Sequence, residues 1–241
     1  MGFPGVSRLM LFEQVSIISE GQIKNIITDY KEIIMKHDWK KNDKQFYLPG
    51  NIPHTIVVPK FNFYTIDGKG NPNDAFFKEY IGVLYSLSYA VKMSPKHGFT
   101  PEHYNEYTVF PLEGVWDIDQ EAKKNYNGTL DKNLLVFKLM MRQPDFVGAD
   151  FALDSIERTK KKKPNPLLEK VKFETIEDGI CVQMLHEGSY DSEPASFQKM
   201  DEFAAANNLV RIGHTHREIY ISDARRVDAA NLKTVLRFKV R

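Results

Sequence analysis

The sequence predicts an α+β fold in which one βαββ plan occurs twice along the chain. Three observations lead to this class: β-branched runs have the length of strands, two amphipathic segments have helical spacing, and both halves repeat the same order of elements. Two such units pairing side by side would form an antiparallel-rich sheet with the helices on one face and a concave ligand cleft on the other. We expect a single domain over 35–241, with repeats at about 50–143 and 168–241.

The composition is that of a globular chain with no electrostatic attraction to nucleic acid. Its 241 residues include 33 basic and 32 acidic side chains, a formal net charge of +1, and no apolar run approaches the roughly 18 residues of a membrane span. The single cysteine, Cys181, permits no internal disulfide, as is common in reducing compartments. We therefore expect a cytoplasmic protein without direct nucleic-acid or membrane partners. The oligomeric state stays open.

Residues 1–34 are an N-terminal extension that differs in character from the rest of the chain. Ile23, Ile26, Ile27 and Tyr30 follow helical spacing and predict an amphipathic helix. Alternatively, Met35 is the natural start, because the preceding Lys-Glu pair can be encoded by a purine-rich ribosome-binding sequence at the right distance. The sequence leaves both interpretations open.

The first half supplies one βαββ unit. The runs Thr55–Pro59 and Phe61–Ile66 predict two strands separated at the proline, and a turn-rich stretch over 67–73 follows them. Asp74 can cap a helix that runs to about Val91. Strand-type residues then return at 107–117 and 134–141.

The second half repeats this plan after a helix predicted over 145–163. The four lysines that end this helix complement its dipole, so we interpret them as a solvated helix end rather than a nucleic-acid site. The Asp178-Gly179 pair predicts a hairpin over 171–186. A helix over 194–207 comes next, and the final strands are predicted at 216–222 and 235–240.

The strand that contains Glu218 presents the first candidate catalytic residues. Period-2 alternation places Glu218 and Tyr220 on one face and Ile219 and Ile221 on the other. We assign the isoleucines to the helix-covered face, so the carboxylate and the phenol face the open side as an acid/base and hydrogen-bonding pair. The alternative is an ordinary half-exposed strand.

A metal site is the less favoured interpretation of the same strand. His214, His216 and Glu218 have the composition of metal ligands, but successive side chains on one face are about 6.6 Å apart, which is wide for a single ion. No cysteine and histidine cluster elsewhere in the sequence supplies further ligands. We therefore expect no metal and no cofactor.

Further candidates come from both halves. Glu113 lies next to a glycine and three residues before Trp116, which is typical of a pocket or equally of a strand bulge with a core tryptophan. Two tyrosines of the first helix can line the edge of a cleft. His186 opens a turn-rich segment, where the alternative is a solvated histidine. The ligand-binding candidates are Trp116, Tyr85, Tyr89, His186 and Tyr190.

Six segments together resemble a known family. They read FYTIDGKGNPND, LYSLSYAVKM, FPLEGVW, MMRQPDF, LHEGSYDSEP and HREIYISDARRVDAANLKTVLR. They are similar to the GyrI-like small-molecule-binding family, in its stand-alone bacterial branch, over about Met35 to Arg241. The resemblance implies a tandem SHS2-type βαββ duplication with a deep central cleft.

The resemblance also implies roles for particular residues. The acidic residue of the family's cleft falls on Glu218, and the PLEGVW motif adds Glu113 and Trp116. Members of the family include effector domains of multidrug-responsive regulators, a gyrase-inhibitory protein, and proteins that hydrolyse cyclopropane-bearing DNA-alkylating compounds. Where the branch often has a second aromatic residue after the tryptophan, this chain has Asp117.

Two functional classes follow from these residues and the resemblance. In the enzyme hypothesis, Glu218 or Glu113 activates a water that opens a strained ring, and Tyr220 or another donor stabilises the oxyanion. In the binding hypothesis, the same carboxylates pair with planar, cationic drugs that the protein sequesters. We rank the hydrolase first, and inhibition of gyrase by protein contact below both.

Overall fold

The computed structural model describes residues 36–124 and 131–241, so the predicted N-terminal extension and its helix lie outside the described residues. The described part of the chain starts with two short helices and continues through the strands and longer helices of the two repeats. The elements are α1 Trp39–Asn42, α2 Lys44–Tyr47, β1 His54–Lys69, α3 Ala75–Lys92, β2 Leu112–Ile118, α4 Gln120–Lys124, β3 Leu135–Gln143, α5 Ala149–Lys162, β4 Lys172–Glu187, α6 Glu193–Ala206, β5 His216–Tyr220 and β6 Lys233–Lys239.

The strands form one antiparallel sheet in the order β1-β3-β2-β5-β6-β4, which closes into a barrel because β4 also pairs with β1. In each repeat the last strand lies between the other two, β3 between β1 and β2 and β6 between β4 and β5. The β1–β4 and β2–β5 pairs join the repeats. The predicted α+β class with a duplicated βαββ plan is confirmed, and closure of the sheet is what the structure adds.

Two predicted chain breaks are wrong. The strand predicted to end at Pro59 continues through it, and the hairpin predicted at Asp178-Gly179 is part of one long strand, β4. The two sites face each other, because β1 and β4 pair on both sides of them, through Val58 with Gly179 and Lys60 with Glu177. Gly179 has a φ of +68°, which lets β4 bend there without reversing.

The two longest helices of the repeats cover the outer face of the barrel. Helix α3 packs on β1 and β3 and buries Val83, Leu84, Leu87 and Val91. Helix α6 packs on β4, where Met200 and Ala204 join a core cluster with the side chains of Val182, Met184, Leu236 and Phe238. No helix among the described residues is both long and apolar enough to cross a membrane.

The helices α1 and α2 hold the opposite face of the sheet through polar contacts. The Tyr47 hydroxyl donates a hydrogen bond to Glu113 at 3.3 Å, and the carbonyl of Phe46 accepts one from Arg237 at 2.6 Å. Arg142 of β3 pairs with Asp43 at 3.2 Å. Residues before the first repeat therefore complete the buried interior of the fold.

Candidate functional site

Adjacent strands β2 and β5 bring the central side chains of the site together. In their register Gly114 lies opposite Glu218 and Trp116 opposite His216, so the alternation of side chains puts these positions and Tyr220 on one face. The Trp116 indole N–H donates to the Tyr220 hydroxyl at 2.7 Å, which in turn donates to Glu218 Oε2 at 2.9 Å. His216 Nε2 lies 3.0 Å from Glu218 Oε1. Both oxygens of Glu218 are thus held by neighbours.

The predicted orientation of this strand is wrong. Glu218 and Tyr220 lie on the face that the helices cover, since the His216 ring contacts Phe197 of α6 at 4.7 Å between centroids. Ile219, expected to pack on the helices, is fully buried on the opposite face together with Arg217. Alternation determines which residues share a face, but the barrel interior also buries apolar side chains such as Ile219, beside its ion pairs.

Glu113 lies on the other side of the sheet from Glu218. Its side chain is 1% exposed and forms an ion pair with Arg217 at 2.7 Å, while Tyr47 donates to its second oxygen. Arg217 also pairs with Asp178 at 3.0 Å. Burial and the charge of Glu113 raise the pKa of Tyr47, which stays a neutral donor. The two glutamates predicted as alternative bases therefore occupy separate environments, and Glu113 belongs to a buried ion-pair network.

Gly114 makes room for the hydrogen bond between Trp116 and Tyr220. A Cβ atom at this position would lie 2.8 Å from the Trp116 Nε1 atom and 3.2 Å from the Tyr220 hydroxyl oxygen. Contacts of that length are tighter than packed side chains allow, so the close approach requires a glycine.

Glu193 is a site residue that the sequence analysis missed. It begins α6, is 6% exposed, and its Oε1 is buried with no hydrogen-bond partner among the residues described. Glu193, His216 and Glu218 each direct one oxygen or nitrogen atom toward the others, all within 4.8 Å. Burial, followed by the charges of Glu218 and Asp191, raises the pKa of Glu193 to about 9. The neighbouring Pro194 predicted the start of the helix, but no sequence pattern indicates that position 193 lies close to β5.

A shared proton or a bound cation would each account for three such atoms in a small volume. His214, the third member of the metal set considered from the sequence, is exposed and does not belong to the group. Glu218 already accepts a hydrogen bond from Tyr220 and interacts with His216, whereas Glu193 Oε1 has no hydrogen-bond partner in the described part of the chain.

Aromatic rings line the site around this carboxyl cluster. Tyr190 packs edge-on against Tyr220 with 6.1 Å between centroids and remains 39% exposed. Burial and the charge of Glu218 raise the pKa of Tyr190 to about 12, and they raise the pKa of Tyr220 as well. The ring of Trp116 packs against that of Phe77 of α3, with 5.8 Å between centroids. The site thus combines the accessible phenol of Tyr190 with aromatic rings that are largely buried.

Tyr85 and Tyr89 lie together on α3. Their rings stack at 6.5 Å between centroids, and Tyr89 is 51% exposed. Burial, and then the charge of Asp223 in the segment after β5, raises the pKa of Tyr85. The proximity to Asp223 places Tyr85 beside the chain that leaves the site strand; a role of either tyrosine in ligand binding stays a prediction.

His186 is buried rather than solvated, so the alternative of a solvated turn histidine is wrong. It belongs to β4 and is 4% exposed. Nδ1 lies 2.8 Å from the Ser196 hydroxyl, and Nε2 lies 3.0 Å from the Ser189 carbonyl and 3.2 Å from the Ser192 hydroxyl. These contacts hold the turn that carries Tyr190 and Glu193.

The chain belongs to the GyrI-like family, because residues 53–241 match the GyrI-like small molecule binding domain. A solved hydrolase from Listeria innocua is 33% identical, with a TM-score of 0.77 over 86% of this chain and 100% of its own. An uncharacterized conserved protein from Listeria innocua is 35% identical, with a TM-score of 0.76 and the same coverage. No match is found among curated proteins.

Proposed function

We propose that this protein hydrolyses cyclopropane-bearing, DNA-alkylating compounds with a planar, apolar body. The observation that carries the proposal is the hydrogen-bonded series Trp116–Tyr220–Glu218, which holds a carboxylate at the base of an aromatic site. Similarity to a protein described as a hydrolase, at 33% identity over the full length of that protein, supports the reaction class.

The proposed base is Glu218 rather than Glu113. Glu113 is neutralised by Arg217 at 2.7 Å and lies on the opposite face of the sheet from Trp116 and Tyr220. Glu218 has no ion pair with lysine or arginine among the residues described, and it shares its face with Trp116 and Tyr220. A carboxylate held by hydrogen bonds alone retains the capacity to accept a proton.

The reaction adds one water across a strained carbon–carbon bond. Glu218 takes a proton from the water as its oxygen bonds to the cyclopropane methylene. The ring bond breaks, and its electron pair moves through the conjugated system onto the carbonyl oxygen. Proton transfer to that oxygen completes a ring-opened alcohol, so the product is the substrate plus one water. Tyr190, a protonated and accessible phenol, is the donor we assign to the developing oxyanion.

Tyr220 has a different role from the one expected. Its hydroxyl accepts from Trp116 and donates to Glu218, so in this proposal it orients the base rather than contacting the oxyanion. The rings of Trp116 and Tyr190, with Tyr85 and Tyr89 at the rim, would stack on a planar substrate. Detoxification of electrophiles in the cytoplasm is the biological role we propose, without any nucleic-acid contact.

A second candidate function is sequestration of a planar cation without turnover. Glu193 favours it, because its Oε1 has no hydrogen-bond partner among the described residues, and two carboxyl groups near aromatic rings form a receptor for positive charge. This protein would bind such compounds and release them unchanged.

The deciding experiment follows a cyclopropane-containing alkylator by mass spectrometry with wild type, Glu218→Gln and Glu113→Gln. We expect ring-opened product from the wild type and loss of turnover in Glu218→Gln. Glu113→Gln retains turnover per folded molecule, because that side chain lies outside the site. Saturable binding without product in the wild type would assign the protein to the sequestration class.

A further inference from the structure

Glu193 and Glu218 approach each other in a buried part of the site. Their nearest oxygens lie within 4.8 Å, on side chains that are 6% and 8% exposed. One comes from the first turn of α6 and the other from β5, so the packing of α6 on the sheet sets their separation. Two ionised carboxylates this close repel strongly in a poorly solvated environment, and such pairs hold a proton between them.

We propose that Glu193 and Glu218 form a carboxyl pair with a single proton, that Glu193 carries it, and that this neutral group keeps Glu218 ionised as the base. The role rests on the function proposed above, whereas the state of the pair does not. Glu193 is thus a positioning residue that acts through Glu218.

The hydrogen bonds decide which member carries the proton. Glu218 accepts from the Tyr220 hydroxyl at 2.9 Å and lies 3.0 Å from His216 Nε2, so both of its oxygens already have a partner. Glu193 Oε1 has no such donor among the described residues. A protonated Glu193 can donate to Glu218, directly or through one bridging water, and thereby gains the partner that its oxygen lacks.

The charged and titratable groups around Glu193 also favour its protonated form. Glu218 and Asp191 are the charges that act on it, and both are negative. His216 lies within the same 4.8 Å group, but its Nε2 is directed at Glu218. On β4, the two ring nitrogens of His186 are engaged by Ser196 and by the 189–192 turn. Tyr190 and Tyr220, the neighbouring phenols, have raised pKa values and are neutral.

A pH-dependent stability difference follows from the pair. Burial raises the pKa of Glu193 from its ordinary value of 4.5 to about 9. Between these values the folded protein binds a proton that the unfolded chain has released, so this group lowers the stability of the fold as pH rises through that window. A neutral residue at position 193 removes the effect.

The first experiment compares thermal unfolding of wild type, Glu193→Gln and Glu202→Gln from pH 4.5 to 9. Glutamine reproduces the neutral, hydrogen-bonding form, so we expect the Tm of Glu193→Gln relative to wild type to increase steadily across the range. Glu202→Gln is the matched control, because it makes the same substitution at an exposed position of the same helix, α6. A Glu193→Gln difference that is constant or decreases with pH overturns the proposal.

Two further measurements test the pair directly. Titration of ¹³C-labelled glutamate carboxyls by NMR is expected to show one signal, absent from Glu193→Gln, that titrates well above the ordinary range. The metal content of the purified protein and titration with Zn²⁺ or Mn²⁺ test the cation alternative. One tightly bound metal per chain, lost in Glu193→Gln, overturns the shared proton.

Activity measurements then separate this inference from the proposed function. Glu193→Gln is expected to retain ring opening at pH 7, whereas Glu193→Leu, of similar size but without a donor, loses a large part of it. Loss of activity in Glu193→Gln overturns the positioning role, even if the NMR result stands. Absence of turnover in wild type contradicts only the proposed function, because the unfolding and NMR experiments use no substrate.

Discussion

The indole N–H of Trp116 donates a 2.7 Å hydrogen bond to the hydroxyl of Tyr220, across two neighbouring strands and 104 positions of sequence. The Tyr220 hydroxyl in turn donates a hydrogen bond to Glu218, so Trp116 of the first repeat orients a carboxylate of the second. The site is therefore built at the junction of the repeats.

Replacing Trp116 by phenylalanine is expected to reduce turnover or ligand affinity more than stability. Phenylalanine keeps an aromatic ring at this position but lacks the N–H that orients Tyr220. A hydrogen bond of this kind contributes about 1 kcal/mol to stability. Trp39→Phe is the control, because the Trp39 N–H donates to the Val109 carbonyl outside the site. Equal effects of both variants on product formation would contradict the role of Trp116.

Gly114→Ala is expected to destabilise the fold by about 1–3 kcal/mol, the range for overpacking, and to disturb ligand binding. The added methyl group overlaps the Trp116 indole nitrogen and crowds the Tyr220 hydroxyl. Gly82→Ala is the matched control, since a Cβ at that position in α3 meets no atom within 4 Å and alanine favours a helix by about 0.5–1 kcal/mol. Urea unfolding of both variants measures the contrast. If Gly114→Ala leaves the free energy of unfolding unchanged, the rings of Trp116 and Tyr220 move apart freely.

Glu113→Gln is expected to lower the free energy of unfolding by about 3–5 kcal/mol, because it leaves the buried Arg217 guanidinium with reduced compensation. Asp178 remains its second partner, so the lower end of the range is the expected one. Glu218→Gln has a much smaller effect on stability, since no lysine or arginine among the described residues pairs with Glu218. Chemical denaturation tests this order, and a reversed order would exclude a structural role for Glu113.

His186→Ala is expected to destabilise the protein by about 1–3 kcal/mol, the range for buried polar groups left without partners. It removes the contacts that hold the turn before α6, so ligand affinity falls with stability. His214→Ala, at an exposed position, is the control. Isothermal titration and thermal unfolding separate two roles: weaker binding at unchanged stability would indicate that His186 contacts the ligand itself.

The candidate site was only partly predictable from the sequence. Period-2 alternation correctly grouped Glu218 with Tyr220, because side-chain alternation is a local property of a strand. Alternation could not tell which face the helices cover, since the barrel interior also buries apolar side chains such as Ile219. Glu193 could not be predicted as a site residue for a related reason. Its proximity to Glu218 depends on where α6 packs, and no local sequence pattern encodes that distance.

The sequence by itself determined the α+β class, the repeated βαββ order and the helices at 75–92 and 193–206, because hydrophobic periodicity and turn residues act over short distances. The tertiary structure alone decided that the sheet closes through β1 and β4, that Pro59 and Gly179 lie inside strands, and that Glu113 and Glu218 are on opposite faces. These features depend on pairing between residues more than 100 positions apart, where burial and partner choice override local preference.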